Sequence, residues 1–101
     1  MSDRTDLQTL LEGLLGSDNV YFQPPPSIQM SYPCIVYRRS RIETEHANNR
    51  PYSHRNRYTI TVIDKNPDSL LPGLVSDIPT ASFDAHYAVD NLNHDVFTIY
   101  F

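Results

Sequence analysis

Arginines concentrated in one stretch, residues 38 to 57, carry the clearest potential chemistry of this 101-residue chain. Six of the eight lysines and arginines lie there: Arg38, Arg39, Arg41, Arg50, Arg55 and Arg57. Guanidinium groups bind carboxylates and phosphates through paired hydrogen bonds. Tyr37, Tyr52 and Tyr58 lie among these arginines. Arginine with tyrosine is favoured at protein interfaces, and the same residues can track phosphates and stack on bases.

The charge of this stretch is opposite to that of the rest of the chain. Residues 38 to 57 hold six Arg and two Glu, a sum of +4, and the whole chain carries −4, so the other residues carry −8. An acidic body repels phosphate. The pattern therefore favours docking on the acidic surface of a neighbouring protein. A solvated hairpin without a partner and direct nucleic-acid recognition are the alternative interpretations.

Histidines and acidic residues are the candidate metal ligands and acid–base catalysts of this sequence. The histidines are His46, His54, His86 and His94. No two of them have the helical or close strand spacing that brings imidazoles together, so we expect turn-capping or solvent-facing roles. The chain lacks a Gly-rich phosphate loop, a paired-Cys motif and a Gly-x-Ser-x-Gly elbow. We therefore expect no enzyme, no cofactor and no metal.

Two β-prone runs flank the polar middle of the arginine-rich stretch. We predict strands from Cys34 to about Glu45 and from Arg57 to Lys65, which form a long antiparallel hairpin. Four consecutive apolar residues at Cys34–Tyr37 predict cover on both faces of the sheet. The tip, which contains Asn48-Asn49-Arg50-Pro51, is too polar to pack within the chain. We expect a single domain over 1–101 with a hairpin projecting at about 38–57.

The remaining elements complete an α+β pattern. Five leucines spaced as one stripe predict a helix over 5–16, with Thr5 and Gln8 as a capping box and Gly16 as the C-terminal cap. A short strand follows at Val20–Gln23. Asn66 and Pro67 predict the start of a second helix, which Pro72 and Gly73 shorten or break. The final strands are predicted at 82–90 and 95–101, joined by a turn over Asn91–His94. In the first of these strands, alternation predicts inward-facing Phe83, Ala85, Tyr87 and Val89.

These elements predict an α+β domain in the order α-β-β-β-α-β-β, with a mostly antiparallel sheet. No apolar run approaches the roughly 20 residues needed to cross a bilayer, and we expect no membrane association. The first thirty residues lack the pattern of a signal peptide. The single cysteine, Cys34, cannot form an internal disulfide, which favours folding in a reducing cytoplasm.

Three segments resemble small bacteriophage head–tail junction proteins, the tail-terminator or tail-completion proteins of long-tailed phages. They are Tyr32-Pro33-Cys34-Ile35-Val36-Tyr37, then Tyr58-Thr-Ile-Thr-Val-Ile-Asp64 with Asn66-Pro67-Asp68-Ser69, and the closing Asp90-Asn-Leu-Asn-His-Asp-Val-Phe-Thr-Ile-Tyr100. The resemblance covers roughly residues 5 to 101. It is one of pattern and order, without a catalytic signature.

The resemblance implies a non-enzymatic virion subunit with an α+β fold. Such proteins assemble as a hexameric ring that caps the tail tube and presents a surface to the head connector, and they are assembled in the host cytoplasm. The implied partners are further copies of the chain, the tail tube protein and the head connector, with non-specific contact with passing DNA. A head-completion protein of the same junction is the nearest alternative. The family has no active-site residues to carry over.

Overall fold

A computed structural model describes residues 4–25, 27–47 and 50–101, with the backbone alone for 41–47 and 50–55. Within these residues, two helices and five strands occur in the predicted order. Their bounds are α1 Arg4–Leu15, β1 Val20–Phe22, β2 Cys34–Ala47, β3 Arg50–Asp64, α2 Leu71–Ser76, β4 Ser82–Val89 and β5 Leu92–Tyr100. The strands form one sheet in the order β1-β2-β3-β5-β4, in which only β1 and β2 are parallel. The predicted fold class is confirmed.

The main core lies between one face of the sheet and the two helices. Alternate residues of a strand face the same side, so the central strands supply one apolar surface. Its members are Ile35 and Tyr37 on β2, Tyr58, Ile60 and Val62 on β3, and Phe97 and Ile99 on β5. Leu7 and Leu11 of α1 belong to the same cluster, together with Val75 and Ile78. Burial of this apolar surface is what holds the short helices in place.

The first helix begins one residue earlier than predicted, and its predicted N-terminal cap is wrong. Thr5 is the second residue of α1, and the side chain of Gln8 bonds to residues outside the helix. The predicted C-terminal cap is correct, because Gly16 has φ +79° and its N–H donates to the Glu12 carbonyl at 2.9 Å. Left-handed backbone of this kind favours glycine.

The second helix begins at Leu71, four residues after its predicted first residue, Pro67. Asn66 caps a turn, in which its side-chain oxygen accepts from the Asp68 N–H at 3.0 Å. The helix starts at Leu71, and Pro72 lies in its first turn. Proline is compatible with a first turn because the N–H that it lacks has no helical partner there. The predicted short helix is confirmed, since α2 has six residues, but Pro72 helps to begin the helix and does not interrupt it.

The last two strands form a tight hairpin whose register differs from the prediction. Asp90 and Asn91 have φ values of +54° and +64°, and Val89 pairs with Leu92, so the turn has two residues and β5 begins at Leu92. A register shift between Phe83 and Ala85 marks a β-bulge. The extra residue reverses the alternation after it. The predicted single inward face of β4 is therefore wrong, and every residue of β4 is exposed.

The second face of the sheet is only partly covered. Val36, Thr61, Val96 and Ala85 lie across it in one row of paired residues, and their exposure ranges from partial to full. Cys34 on this face is nevertheless buried, and desolvation, with Asp64 nearby, raises the pKa of its thiol to about 11. The predicted burial of residues 34–37 is thus confirmed for Cys34, Ile35 and Tyr37, while Val36 is half-exposed.

The Asp90–Asn91 turn gives a direct test of the hairpin geometry. A β-branched residue is strained at positive φ, so Asn91→Val is expected to lower the free energy of unfolding by about 1–2 kcal/mol. Asn91→Gly, the matched control, accepts the same φ and is expected to stay within about 0.5 kcal/mol of the parent. Urea unfolding measures both. Equal stability of the two variants would contradict the turn.

Candidate subunit-interface arm

The hairpin of β2 and β3 extends beyond the rest of the sheet. Residues 57–63 of β3 pair with β2 on one side and with β5 on the other. Asn56 exchanges two backbone hydrogen bonds with Phe101, at 3.0 and 3.4 Å. In the register of the described strands, residues 50–55 pair with β2 alone. We call residues 41–47 and 50–55 the arm.

The arm is longer than the predicted strands because β3 begins at Arg50, seven residues before its predicted start. Pairing with β2 supplies backbone hydrogen bonds whatever the polarity of the side chains, so a polar sequence can form a strand here. The molecule measures 51 × 25 × 22 Å along its principal axes, in keeping with an elongated shape. The predicted tip residues Asn48 and Asn49 lie outside the described residues.

A β-bulge at Ser40 marks the base of the arm. Arg39 pairs with Tyr58 and Arg41 pairs with Arg57, so Ser40 is the extra residue. Its hydroxyl donates to the Arg57 carbonyl at 3.0 Å and accepts from the Arg57 Nε–H at 3.3 Å. A bulge bends and twists the strand that contains it. These two side-chain bonds therefore tie the two strands together where the arm leaves the body.

The predicted interface arginines divide into two groups. Arg38 and Arg39 are exposed and lie on the part of β2 that is still within the five-stranded sheet, and Arg57 lies half-buried at the base of the arm. The arm itself contains Arg41, Arg50, Tyr52 and Arg55, whose side chains lie outside the described residues. The projection is thus shorter than the predicted 38–57. At the base of the arm, the exposed Arg38 and Arg39 and the half-buried Arg57 make the surface basic.

Gln23 closes part of the open edge of β2, a role that the sequence analysis did not identify. Its backbone, at φ +46°, donates to the Tyr37 carbonyl at 2.9 Å. Its side-chain oxygen accepts from the backbone N–H of Arg39 at 3.3 Å. Beside it lies a shallow pocket of about 440 Å³, which also includes Pro24, Val36 and Arg38. Beyond Tyr37, no described strand pairs with this edge of β2.

Tyr37 belongs to the core and anchors α1 to the sheet. Its hydroxyl donates to Gln8 Oε1 at 2.5 Å and accepts from Arg4 Nη1 at 3.4 Å. Gln8 Nε2 donates in turn to the Val20 carbonyl at 3.0 Å. Burial raises the pKa of Tyr37, and the Arg4 guanidinium partly opposes that rise. Tyr58 is buried beside it, with the ring centroids 6.0 Å apart, so neither ring can stack on a base.

The two histidines of the last hairpin have neighbours on that hairpin. His86 Nδ1 lies 2.7 Å from Asp95 Oδ1. His94 Nδ1 lies 3.1 Å from the Leu92 carbonyl, and its ring stacks on Tyr87 at 4.6 Å. Among the side chains that the structure describes, no three His, Cys, Asp or Glu residues lie close enough together to hold a metal ion. The side chains of His46 and His54 lie outside this set.

No protein-family model matches the chain, and no curated protein matches it at a significant level of sequence similarity. The resemblance to head–tail junction proteins thus rests on residue patterns and on the order of the elements. Within the described part of the chain, neither helix has the length and apolar character needed to span a membrane.

The Tyr37 network predicts a specific loss of stability. Tyr37→Phe removes the hydroxyl and leaves the half-buried Gln8 amide oxygen without its donor, which is expected to cost about 1–2 kcal/mol of unfolding free energy. Tyr21→Phe removes a hydroxyl that accepts from the exposed Ser31 N–H, so it is expected to cost less than about 1 kcal/mol. Chemical denaturation compares the two. A Tyr37 variant as stable as the Tyr21 variant would contradict the network.

Proposed function

We propose that this protein is a structural subunit of the head–tail junction of a long-tailed bacteriophage. In this proposal it forms a ring that terminates the tail tube and joins it to the head connector. The resemblance to head–tail junction proteins implies that the ring has six subunits. It has no enzymatic activity and needs no cofactor. The observation that carries the proposal is the arm, a two-stranded ribbon that extends beyond the sheet of its own chain.

An isolated two-stranded ribbon needs further contacts to be stable. Such hairpins are at best marginally stable in water, and three or more strands or packing against a helix are required for independent stability. The arm and its base, residues 38–57, carry +4, whereas the remaining residues carry −8. A neighbouring copy therefore offers both the missing packing and an opposite charge. A contact of this head-to-tail kind closes into a ring when the rotation between subunits allows it.

Nucleic-acid recognition by the isolated protein is the candidate from a different class, and two observations weigh against it. Tyr37 and Tyr58 are buried and cannot stack on bases. The acidic body repels phosphate. In the ring, arginines that face the central channel would contact passing DNA without reading its sequence. Strong, salt-dependent binding of the purified protein to duplex DNA at physiological ionic strength would favour the nucleic-acid function instead.

A head-completion protein differs from a tail terminator in its neighbours. A terminator is expected to bind the tail tube protein on one face of the ring and the head connector on the other. A head-completion protein is expected to bind the connector without the tail tube protein. Co-purification with each purified phage component separates these two roles, and both place the protein in the virion.

Assembly provides the test of the arginine interface. Arg39→Glu together with Arg41→Glu and Arg57→Glu is expected to abolish the ring, because like charges would then oppose each other across the contact. The variant should elute as a folded 11.6 kDa monomer with an unchanged circular dichroism spectrum. Light scattering after size-exclusion chromatography, followed by negative-stain imaging, measures the ring. A ring of unchanged mass would refute the interface.

Single substitutions provide matched controls for this test. Arg39→Glu and Lys65→Glu change the net charge equally at exposed positions, but Lys65 follows the end of β3 that is remote from the arm. Only Arg39→Glu is expected to weaken assembly. Equal weakening by both variants would point to a general charge effect rather than to a contact at the base of the arm.

A further inference from the structure

β4 has an exposed outer edge, whose backbone is in a position to pair with a strand of another chain. β4 is the last strand of the sheet, and all eight of its residues are exposed. Three of them are large and apolar, with exposed fractions of 58% for Phe83, 47% for Tyr87 and 50% for Val89. Edge strands of this length and character promote pairing with other chains unless they are covered or interrupted by charge.

The inner side of β4 is held firmly by β5, so the exposed edge is preformed. The Phe83 ring meets the edge of Phe97 at 5.5 Å, and the Tyr87 ring stacks on His94 at 4.6 Å. The Thr98 hydroxyl donates to Asp84 across the two strands. The β-bulge at Asp84 interrupts β4 near its start, so a partner strand would find the backbone already extended over residues 85–89, which lowers the entropic cost of pairing.

The arm matches the outer edge of β4 in length and is opposite to it in charge. Its strands contribute seven residues from β2 and six from β3, so at about 3.3 Å per residue each arm strand is long enough to span residues 85–89 of β4, the regular part after the bulge. The charges also match. Residues 82–91 contain Asp84 and Asp90 and no lysine or arginine, while the arm and its base carry +4.

We propose that the arm of one copy adds to the outer edge of β4 of the next copy and extends its sheet by main-chain hydrogen bonds. This contact rests on the proposed function, in which the arm meets a second copy, and it names the surface that receives the arm. β5 separates β4 from β3 within one copy, so the arm of a different copy must provide the strand. The contact joins two different surfaces and can propagate around a ring.

Charge placed on β4 tests the contact. Ala88 is exposed on β4, and Ala88→Lys puts a positive charge where the arm would lie, whereas Ala88→Glu is the matched control of opposite sign. The lysine variant is expected to weaken assembly about tenfold or more, and the glutamate variant to assemble as tightly as the parent or more tightly. Sedimentation over a range of protein concentrations measures both. Equal assembly of the two variants would overturn the β4 contact.

Cross-linking between copies gives a second readout that does not depend on charge. Arg55→Cys and Ala88→Cys are made in separate chains, mixed, and treated at neutral pH with a short bis-maleimide. A covalent heterodimer is expected, and the double variant should give a ladder of cross-linked multimers. Arg55→Cys mixed with Lys65→Cys is the control. The parent protein is a second control, because its single cysteine is Cys34. Cys34 is buried and has a pKa of about 11, so its thiol stays protonated and is expected to react slowly.

The outcomes separate this inference from the proposed function. A heterodimer specific to position 88 supports the β4 contact. A ring that depends on Arg39 and Arg41 but gives no cross-link at position 88 overturns the β4 contact and leaves the junction function standing. A chain that stays monomeric at all concentrations and gives no specific cross-link overturns both the β4 contact and the arm as an interface between copies.

Discussion

Everything else in the structure depends on the backbone pairing of β3. Over residues 57–63 this strand has a partner on each side, β2 and β5. Its alternate residues Tyr58, Ile60 and Val62 form the centre of the apolar face that the helices cover. At Asn56 the second partner ends, with the hydrogen bonds to Phe101. From there to Arg50 the strand has one described partner, β2. The same strand is thus the centre of the core at one end and half of an unsupported ribbon at the other.

Two local devices mark this change from body to arm. Ser40 is an extra residue in β2 whose hydroxyl contacts Arg57 twice, and Gln23 uses its side chain to satisfy the Arg39 amide beyond the end of β1. Both devices satisfy polar groups that a continuous sheet would otherwise have paired. Their position at the boundary means that the arm is anchored by specific hydrogen bonds before any partner is present. An anchored arm loses less entropy on binding than a disordered one.

The separation of charge in the chain follows the same division. Six of the eight basic residues lie on the arm and its base, and ten of the twelve acidic residues lie on the body, which includes the β4 hairpin with Asp84 and Asp90. Within one chain this arrangement brings little stabilisation, since solvent screens charges that are far apart. Between copies it favours contact of unlike surfaces over contact of like ones, which is the requirement for a head-to-tail assembly.

Several errors of the sequence analysis have a common cause. Thr5 and Asn66 were assigned as helix caps from local patterns, yet the helices begin elsewhere because packing of Leu7, Leu11 and Val75 against the sheet decides which turns are helical. The alternation of β4 was interpreted correctly as a strand but assigned to the wrong faces. A single bulged residue reverses the faces after it, and bulges leave no clear mark in an alternating sequence.

The sequence alone was sufficient for the order of the elements, the fold class, the long hairpin and the burial of Tyr37, because hydrophobic periodicity and β-branched runs are local properties. It also located the basic stretch, since charge can be counted without a structure. The positions of strands within the sheet were decided only by the tertiary structure, because strand order depends on contacts between distant residues. That order leaves β4 exposed at the edge of the sheet and ends the pairing of β3 with β5 at Asn56. The arginine-rich stretch therefore forms a two-stranded ribbon, which begins at the Ser40 bulge and has no third strand beside it among the described residues.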